Sequence, residues 1–404
     1  MFRKVNFTNK LLLVAAIVGF IVYFVLLEFS EYWLGILTQH QVGPDFYIYF
    51  TAYLRTLAGE NPYLPYHIGS SFVSHPFVLS FVSLFSWHQE GYLAIFFWVV
   101  TSAILWVFVV QLVFHVAIDD TSYILGRQEN YQYWHGGMLL IFLGFAPFWE
   151  TIHIGQINVF VMLALILTYY FSERNSDLLA GFFLALSTVL KTSPIIFVLY
   201  FVALRRFKVV GSFLMAFIAF SLIPAIQFSP GVLADFWGIL SKLGGEINPI
   251  AYNQSALSLL ARLFDRWGWE YLAALKWAHK VIMAAFAGAV LVLVALGDSE
   301  KRSRLWGFAL LLMIMTLSSP LVWYHHSLFL VLPLMLFLWH PGRRYAILGV
   351  AVLFVIQSER LFEYKVANFA WPISLAEFIL LGVGIWLYWN DWRRSRQPES
   401  LVKS

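Results

Sequence analysis

Residues 72–88, FVSHPFVLSFVSLFSWH, decide how the chain is threaded. The run is apolar, but it is short, and His75 and Pro76 interrupt it near its start. A bilayer core of about 30 Å needs ~20 mostly apolar residues per helix. Twelve other stretches approach that requirement better: 11–37, 92–115, 136–150, 157–172, 176–190, 193–204, 208–226, 278–297, 304–318, 326–339, 344–357 and 373–390. Several are also short, so they must tilt, thin the bilayer or pack inside a bundle. Clusters of Lys and Arg belong in cytoplasmic loops. Here they are Arg3, Lys4 and Lys10; Arg205, Arg206 and Lys208; Lys301, Arg302 and Arg304; Arg343 and Arg344; and Arg393, Arg394 and Arg396. All five fall on one side if 72–88 does not cross. If it does cross, the first cluster opposes the other four. The segment is therefore expected to be a re-entrant or interfacial piece of the first outer loop.

Composition supports a membrane protein. Of 404 residues, 61% are hydrophobic and 12% charged, and the mean hydropathy is +0.75. Soluble domains carry roughly 25% charged residues, so this chain cannot cover a soluble globule. Its wealth of apolar and aromatic residues excludes disorder. The absence of cysteine excludes disulfides and thiolate chemistry. Seventeen Trp suit a protein with much surface at the membrane interface. A net charge of +4 without a basic stripe makes nucleic acid an unexpected partner. The first apolar run is long and lacks a small-residue cleavage site, so it is expected to be a retained helix.

The expected architecture is one all-α polytopic domain over 1–404, with about 12 transmembrane helices and both termini cytoplasmic. The largest outer loops, 38–91 and 227–277, are too apolar for a soluble domain and should carry amphipathic helices along the membrane surface. In 45–58 (DFYIYFTAYLRTLA), Tyr47, Phe50, Tyr53 and Leu54 recur at helical spacing. Gly59, Glu60, Asn61 and Pro62 then end the helix.

Polar residues at membrane depth are costly and are functional candidates by default. In this topology they collect on the outer side. They are Asp45; Glu150, His153, Gln156 and Asn158; Lys191; Tyr252, Asn253, Gln254 and Arg262; and Trp323, Tyr324, His325 and His326. Each has a plain alternative. Asp45 suits a helix cap, Lys191 a snorkelling lysine, and Gln156 and Asn158 the exposed backbone of a helix start. The two histidines suit an interface, and Arg262 a solvated position. Five separate stretches converging on one face favour a site. No metal is expected there. Asp119 and Asp120 lie in an inner loop, and adjacent histidines on a helix diverge by about 100°. No Walker loop or dinucleotide fingerprint is present.

The sequence resembles glycosyltransferase family 87. Asp45-Phe46 with Leu57-Ala58-Gly59-Glu60-Asn61-Pro62-Tyr63 resembles its first-loop signature. Gly155-Gln156-Ile157-Asn158 resembles its Gly-Gln-x-Asn turn, and Leu190-Lys191-Thr192-Ser193-Pro194 followed by Arg205-Arg206 its Lys-x-x-Pro segment. Asn253-Gln254-Ser255 and Ser319-Pro320-x-x-Trp323-x-His325-His326 complete the set, in order along most of the chain. The resemblance implies a GT-C fold with an active site on the outer face of a bacterial cytoplasmic membrane. It also implies a polyprenyl-phosphate-sugar donor, typically of mannose, and a lipid or glycolipid acceptor among the membrane lipids. No cofactor is implied beyond the lipid-linked donor.

On that reading Lys191, with Arg262 second, stabilises the leaving phosphate, and Asp45 is the general base. His325 or His326 assists the base, orients the acceptor or binds phosphate. Gln156, Asn158, Tyr252, Asn253 and Gln254, with His153 and Glu150 nearby, bind sugar or acceptor, and Trp323 stacks on the sugar. A β-linked donor then gives inversion to an α-linkage. Two rivals stay open. A transporter or lipid flippase would also have many spans, but would place its polar residues near the midplane. A polymerase or ligase of lipid-linked glycans shares the donor chemistry.

Overall fold

The computed structural model describes residues 43–65, 71–86, 90–119, 131–243, 253–265, 272–297, 301–319, 321–340, 343–363 and 371–395. The expected first span, 11–37, and Tyr252 lie outside them. Every regular element among the described residues is helical.

Helix α1 (Pro44–Leu57) begins with proline in its first turn, where a missing N–H costs nothing. Its buried face is Phe46, Tyr49, Phe50 and Tyr53, while Tyr47 is exposed. The aromatic face thus looks inward at protein, so the helix is not a simple surface float. Short α2 (Phe77–Ser83) follows, then α3 (Gly91–Asp119). Phe81 and Phe85 pack on Trp98 of α3, with ring centroids 5.9 and 5.1 Å away. Seven helical residues rise about 10 Å, a third of a bilayer core. Helix α2 alone is therefore too short to cross a bilayer.

The next helices are α4 (Tyr131–Leu143), α5 (Ala146–Ile154), α6 (Asn158–Glu173), α7 (Asp177–Leu190), α8 (Phe197–Ala203) and α9 (Phe207–Gln227). They are followed by α10 (Gly231–Leu243), α11 (Ala256–Asp265), α12 (Leu272–Leu296) and α13 (Lys301–Leu317). The 3-10 turn Tyr324–Leu330 leads into α14 (Val331–Leu338), and α15 (Arg343–Glu363) and α16 (Trp371–Ser395) complete the fold. Helix α13 is buried almost all round and serves as the centre of the bundle.

Among the described residues, four helices are long and apolar enough to cross a membrane: Gly91–Ala117, Phe207–Gln227, Ala274–Leu296 and Ile373–Arg393. Several other expected spans appear as shorter apolar helices, including α6, α7 and Tyr324–Leu338. The stretch 136–150 was expected to be one span. It is instead two pieces, Gly136–Leu143 and Ala146–Ile154, bent by 44°. Pro147 lies in the first turn of the second piece and cannot continue the hydrogen-bond ladder. Gln357 of α15 repairs the break. Its Nε2 donates to the Gly144 carbonyl at 2.9 Å, and its Oε1 accepts from the Ala146 N–H at 2.6 Å. Broken backbone at membrane depth survives only with such partners.

The two ends of the bundle differ in charge. At one end Arg304 makes a two-pronged pair with Glu173 (2.8 Å each), Arg206 binds Asp177 at 2.6 Å, and Arg302 meets Asp391 at 3.2 Å. These contacts bring two of the basic clusters to one face. Helix α6 runs from that face to Asn158, about 22 Å away at 1.5 Å per residue. The candidate site lies at this far end.

Candidate functional site

Two glycines create the site's floor. Gly155 adopts φ +73° and Gly43 φ +77°, a left-handed backbone that favours glycine. A Cβ on Gly155 would lie 2.6 Å from the Phe46 Cβ and 3.3 Å from the Gly43 Cα. The Gly43 N–H donates to the His153 carbonyl at 2.9 Å. The start of α1 is thereby seated on the α5–α6 turn. Gly155→Ala adds both left-handed strain of about 1–2 kcal/mol and a steric clash. It is expected to lower the melting temperature, measured by thermal unfolding of the purified protein.

Seating α1 there places Asp45 beside Gln156. Asp45 is not the helix cap: Gly43 holds that position, and no side chain caps the helix. The Asp45 carboxylate instead accepts a hydrogen bond from Gln156 Nε2. Tyr49, one turn on from Asp45, donates its hydroxyl to Gln156 Oε1 at 2.9 Å. That contact fixes which way the amide points, so its NH2 must face Asp45. Sequence reading did not single out Tyr49, although its position four residues after Asp45 puts both on one helix face.

Asn158 links the other motifs. Its Oδ1 accepts from Lys191 Nζ at 2.9 Å, and its Nδ2 donates to the His325 carbonyl at 3.1 Å. Lys191 ends α7 in extended conformation, just before the turn started by Ser193 and Pro194. Desolvation raises the Asp45 pKa, with the Gln156 hydrogen bond and the Lys191 charge opposing and Glu150 adding to the rise. Desolvation lowers the Lys191 pKa to about 7, with Asp45 opposing. A carboxylate that holds its proton more tightly than usual thus faces an ammonium that releases it more readily.

His325 and His326 do not diverge as expected. They begin a 3-10 turn, and their ring centroids lie 4.4 Å apart. His326 Nδ1 accepts from the Trp323 N–H at 2.8 Å, and His326 lines a cavity of about 20 Å³ with Lys191, Thr316 and Ser319. That volume holds about one water. His325 is buried, and its Nε2 makes no hydrogen bond among the described residues. Trp323 is half-buried at the edge of the turn.

The Asn253-Gln254-Ser255 stretch pins the loop before these histidines. Asn253 Oδ1 accepts from the N–H groups of Val322 and Ser255, both at 3.0 Å. The Gln254 N–H donates to the Val322 carbonyl at 2.6 Å. Both side chains are buried. Glu150 and His153 lie on α5. The backbone of Arg262 lies in α11, and its side chain lies outside the described residues.

Sequence reading also missed Glu377 of α16, which is 1% exposed and accepts from Ser327 Oγ at 3.1 Å. A carboxylate inside an apolar helix was the available signal. Among the described residues, no three His, Cys, Asp or Glu side chains are placed to share a metal ion.

The chain is 25% identical over 264 residues to a polyprenol-phosphate-mannose-dependent alpha-(1-2)-phosphatidylinositol pentamannoside mannosyltransferase of Mycobacterium tuberculosis (strain CDC 1551 / Oshkosh). The match covers 63% of this chain and 58% of that protein, so the chain spans less than two thirds of that relative's length. A family model described as Glycosyltransferase family 87 matches residues 72–322, a stretch that holds the Gly-Gln-x-Asn turn, Lys191 and the Asn253 segment. With more than half its length matched, the chain belongs to glycosyltransferase family 87.

Proposed function

We propose that this protein is a membrane glycosyltransferase that moves a sugar, mannose in the first instance, from a polyprenyl-phosphate donor to a lipid or glycolipid acceptor. The observation that carries the reading is that Asp45 and Lys191 are each held by a residue of one turn, Gly155-Gln156-Ile157-Asn158. Such transfers need a base for the acceptor hydroxyl and a fixed cation for the leaving phosphate.

In this mechanism the acceptor O–H gives its proton to the Asp45 carboxylate. The acceptor oxygen bonds to the sugar C1, and the C1–O bond to phosphate breaks. Polyprenyl phosphate leaves with the electron pair, its charge stabilised by Lys191. Backside attack inverts the anomeric centre. We assign the cationic role to Lys191 and not to a divalent ion. His326 borders the same cavity and is placed to contact the phosphate or acceptor.

We further read the chain as a polytopic protein of about 12 spans in a bacterial cytoplasmic membrane. Both termini are then cytoplasmic, and the site lies on the outer face. Two of the basic clusters gather at the end opposite the site, which supports that orientation under the positive-inside rule.

Purified protein with polyprenyl-phosphate-mannose and membrane lipid extracts tests the function. Labelled glycolipid should form, and EDTA should not stop it. A protein that moves intact lipid-linked sugar between leaflets without forming a new glycoside would overturn the reading in favour of a flippase.

The two titrating groups set a pH profile. Asp45 must be deprotonated, so the acid limb of kcat/KM lies above the ordinary carboxylate range. Lys191 must be protonated, so activity falls as pH rises through about 7. Donor phosphate favours the ammonium, so the alkaline limb of kcat should lie higher than that of kcat/KM. Steady-state rates between pH 5 and 9 check both limbs, and a flat profile contradicts the assignment.

A further inference from the structure

A second cleft lies at the opposite end of the bundle from the candidate site. It is about 530 Å³ and opens between α3 and α6. Leu105, Leu112 and His115 line it from α3, and Leu163, Leu167 and Tyr170 from α6. These spacings place each set on one helix face. The ten-residue rise from Leu105 to His115 is about 15 Å, half the ~30 Å core. That length is comparable to one leaflet. Phe108 at its margin is 56% exposed, so the cleft opens laterally, towards lipid.

Beside its lining residues Tyr170 and His115 sits Arg174, the residue after α6. The neighbouring arginines Arg206, Arg302 and Arg304 each pair with a carboxylate. Arg174 makes no ion pair among the described residues. Its guanidinium carbon lies 3.6 Å from the centroid of the Tyr170 ring, and Nη2 lies 3.5 Å from His115 Nε2. A guanidinium parked flat on an aromatic ring keeps its N–H fork available for a planar or tetrahedral oxyanion. Basic pockets between helices at the membrane surface recognise anionic lipid headgroups.

We propose that this cleft binds an anionic phospholipid of the leaflet opposite the candidate site, with one acyl chain along α3 and α6 and the phosphate on Arg174. The apolar depth matches a chain, and Arg174, which makes no ion pair among the described residues, matches a headgroup phosphate. Binding there would clamp α3 against α6, the helix whose other end holds Asn158.

The test is native mass spectrometry of the full chain in detergent, titrated with dioleoylphosphatidylglycerol or dioleoylphosphatidylcholine. The wild type should retain the phosphatidylglycerol adduct in preference to phosphatidylcholine. Arg174→Ala should weaken the tightest phosphatidylglycerol adduct about tenfold or more, because it removes a charge-assisted hydrogen-bond donor. Leu167→Trp, which fills the cleft, should weaken it comparably. Arg174 is exposed, so its variant should melt like the wild type without added lipid. Three results would overturn the proposal: phosphatidylglycerol binding at wild-type strength in Arg174→Ala, equal binding of phosphatidylcholine, or displacement of phosphatidylglycerol from this cleft by polyprenyl phosphate.

Discussion

Asp45→Asn is expected to reduce turnover by ~10²–10⁴-fold, the usual contribution of a general base. The substitution keeps size and shape, and the asparagine carbonyl can still accept the hydrogen bond from Gln156 Nε2. Tyr49 continues to hold the Gln156 amide in place from its other side. The fold and the substrate pocket should therefore persist, and the loss should appear in kcat with acceptor KM nearly unchanged. The acid limb of the pH profile should also vanish. Steady-state kinetics with separately varied donor and acceptor distinguish this from a binding defect. Normal turnover in Asp45→Asn would remove the proposed base.

Lys191→Met is the second large effect. Methionine preserves most of the stem but removes the charge and the hydrogen bond to Asn158 Oδ1. Losing a preorganised group that stabilises developing negative charge costs ~10²–10³-fold in kcat. Better leaving groups depend less on that stabilisation, so a donor with a less basic phosphate should recover part of the rate. Lys191→Arg should not rescue, because the cavity beside Lys191 measures only about 20 Å³ and a guanidinium is bulkier than an ammonium. Donor turnover by both variants, with melting temperatures as a fold control, measures this. A fully active Lys191→Met would move the phosphate site elsewhere.

The short motifs recognisable in the chain turn out to be held in one network. Gly155 closes the approach between α1 and the α5–α6 turn, Gln156 holds Asp45, and Asn158 holds Lys191 and the His325 carbonyl. The Asn253 segment has a supporting task. It ties down the chain at Val322, immediately before Trp323 and the two histidines. Asn253, one of the residues expected to bind sugar, also accepts from two backbone N–H groups with its side-chain oxygen.

The sequence by itself determined the membrane character, the helical content and the convergence of Asp45, Gln156, Asn158 and Lys191. These were legible because they rest on local chemistry. Apolar run length and the placement of Lys and Arg are energetic rules of the bilayer that act residue by residue. Tertiary structure alone decided the bend at Gly144–Phe145, the inward face of α1, the approach of the two histidine rings and the roles of Tyr49, Gln357 and Glu377. Each depends on a partner far away in sequence. Gln357 lies more than 200 residues from the break it repairs, and no local pattern encodes that distance. Where an unpartnered buried polar group is costly, the need for a partner can be read from sequence, but its identity emerges only when the helices pack.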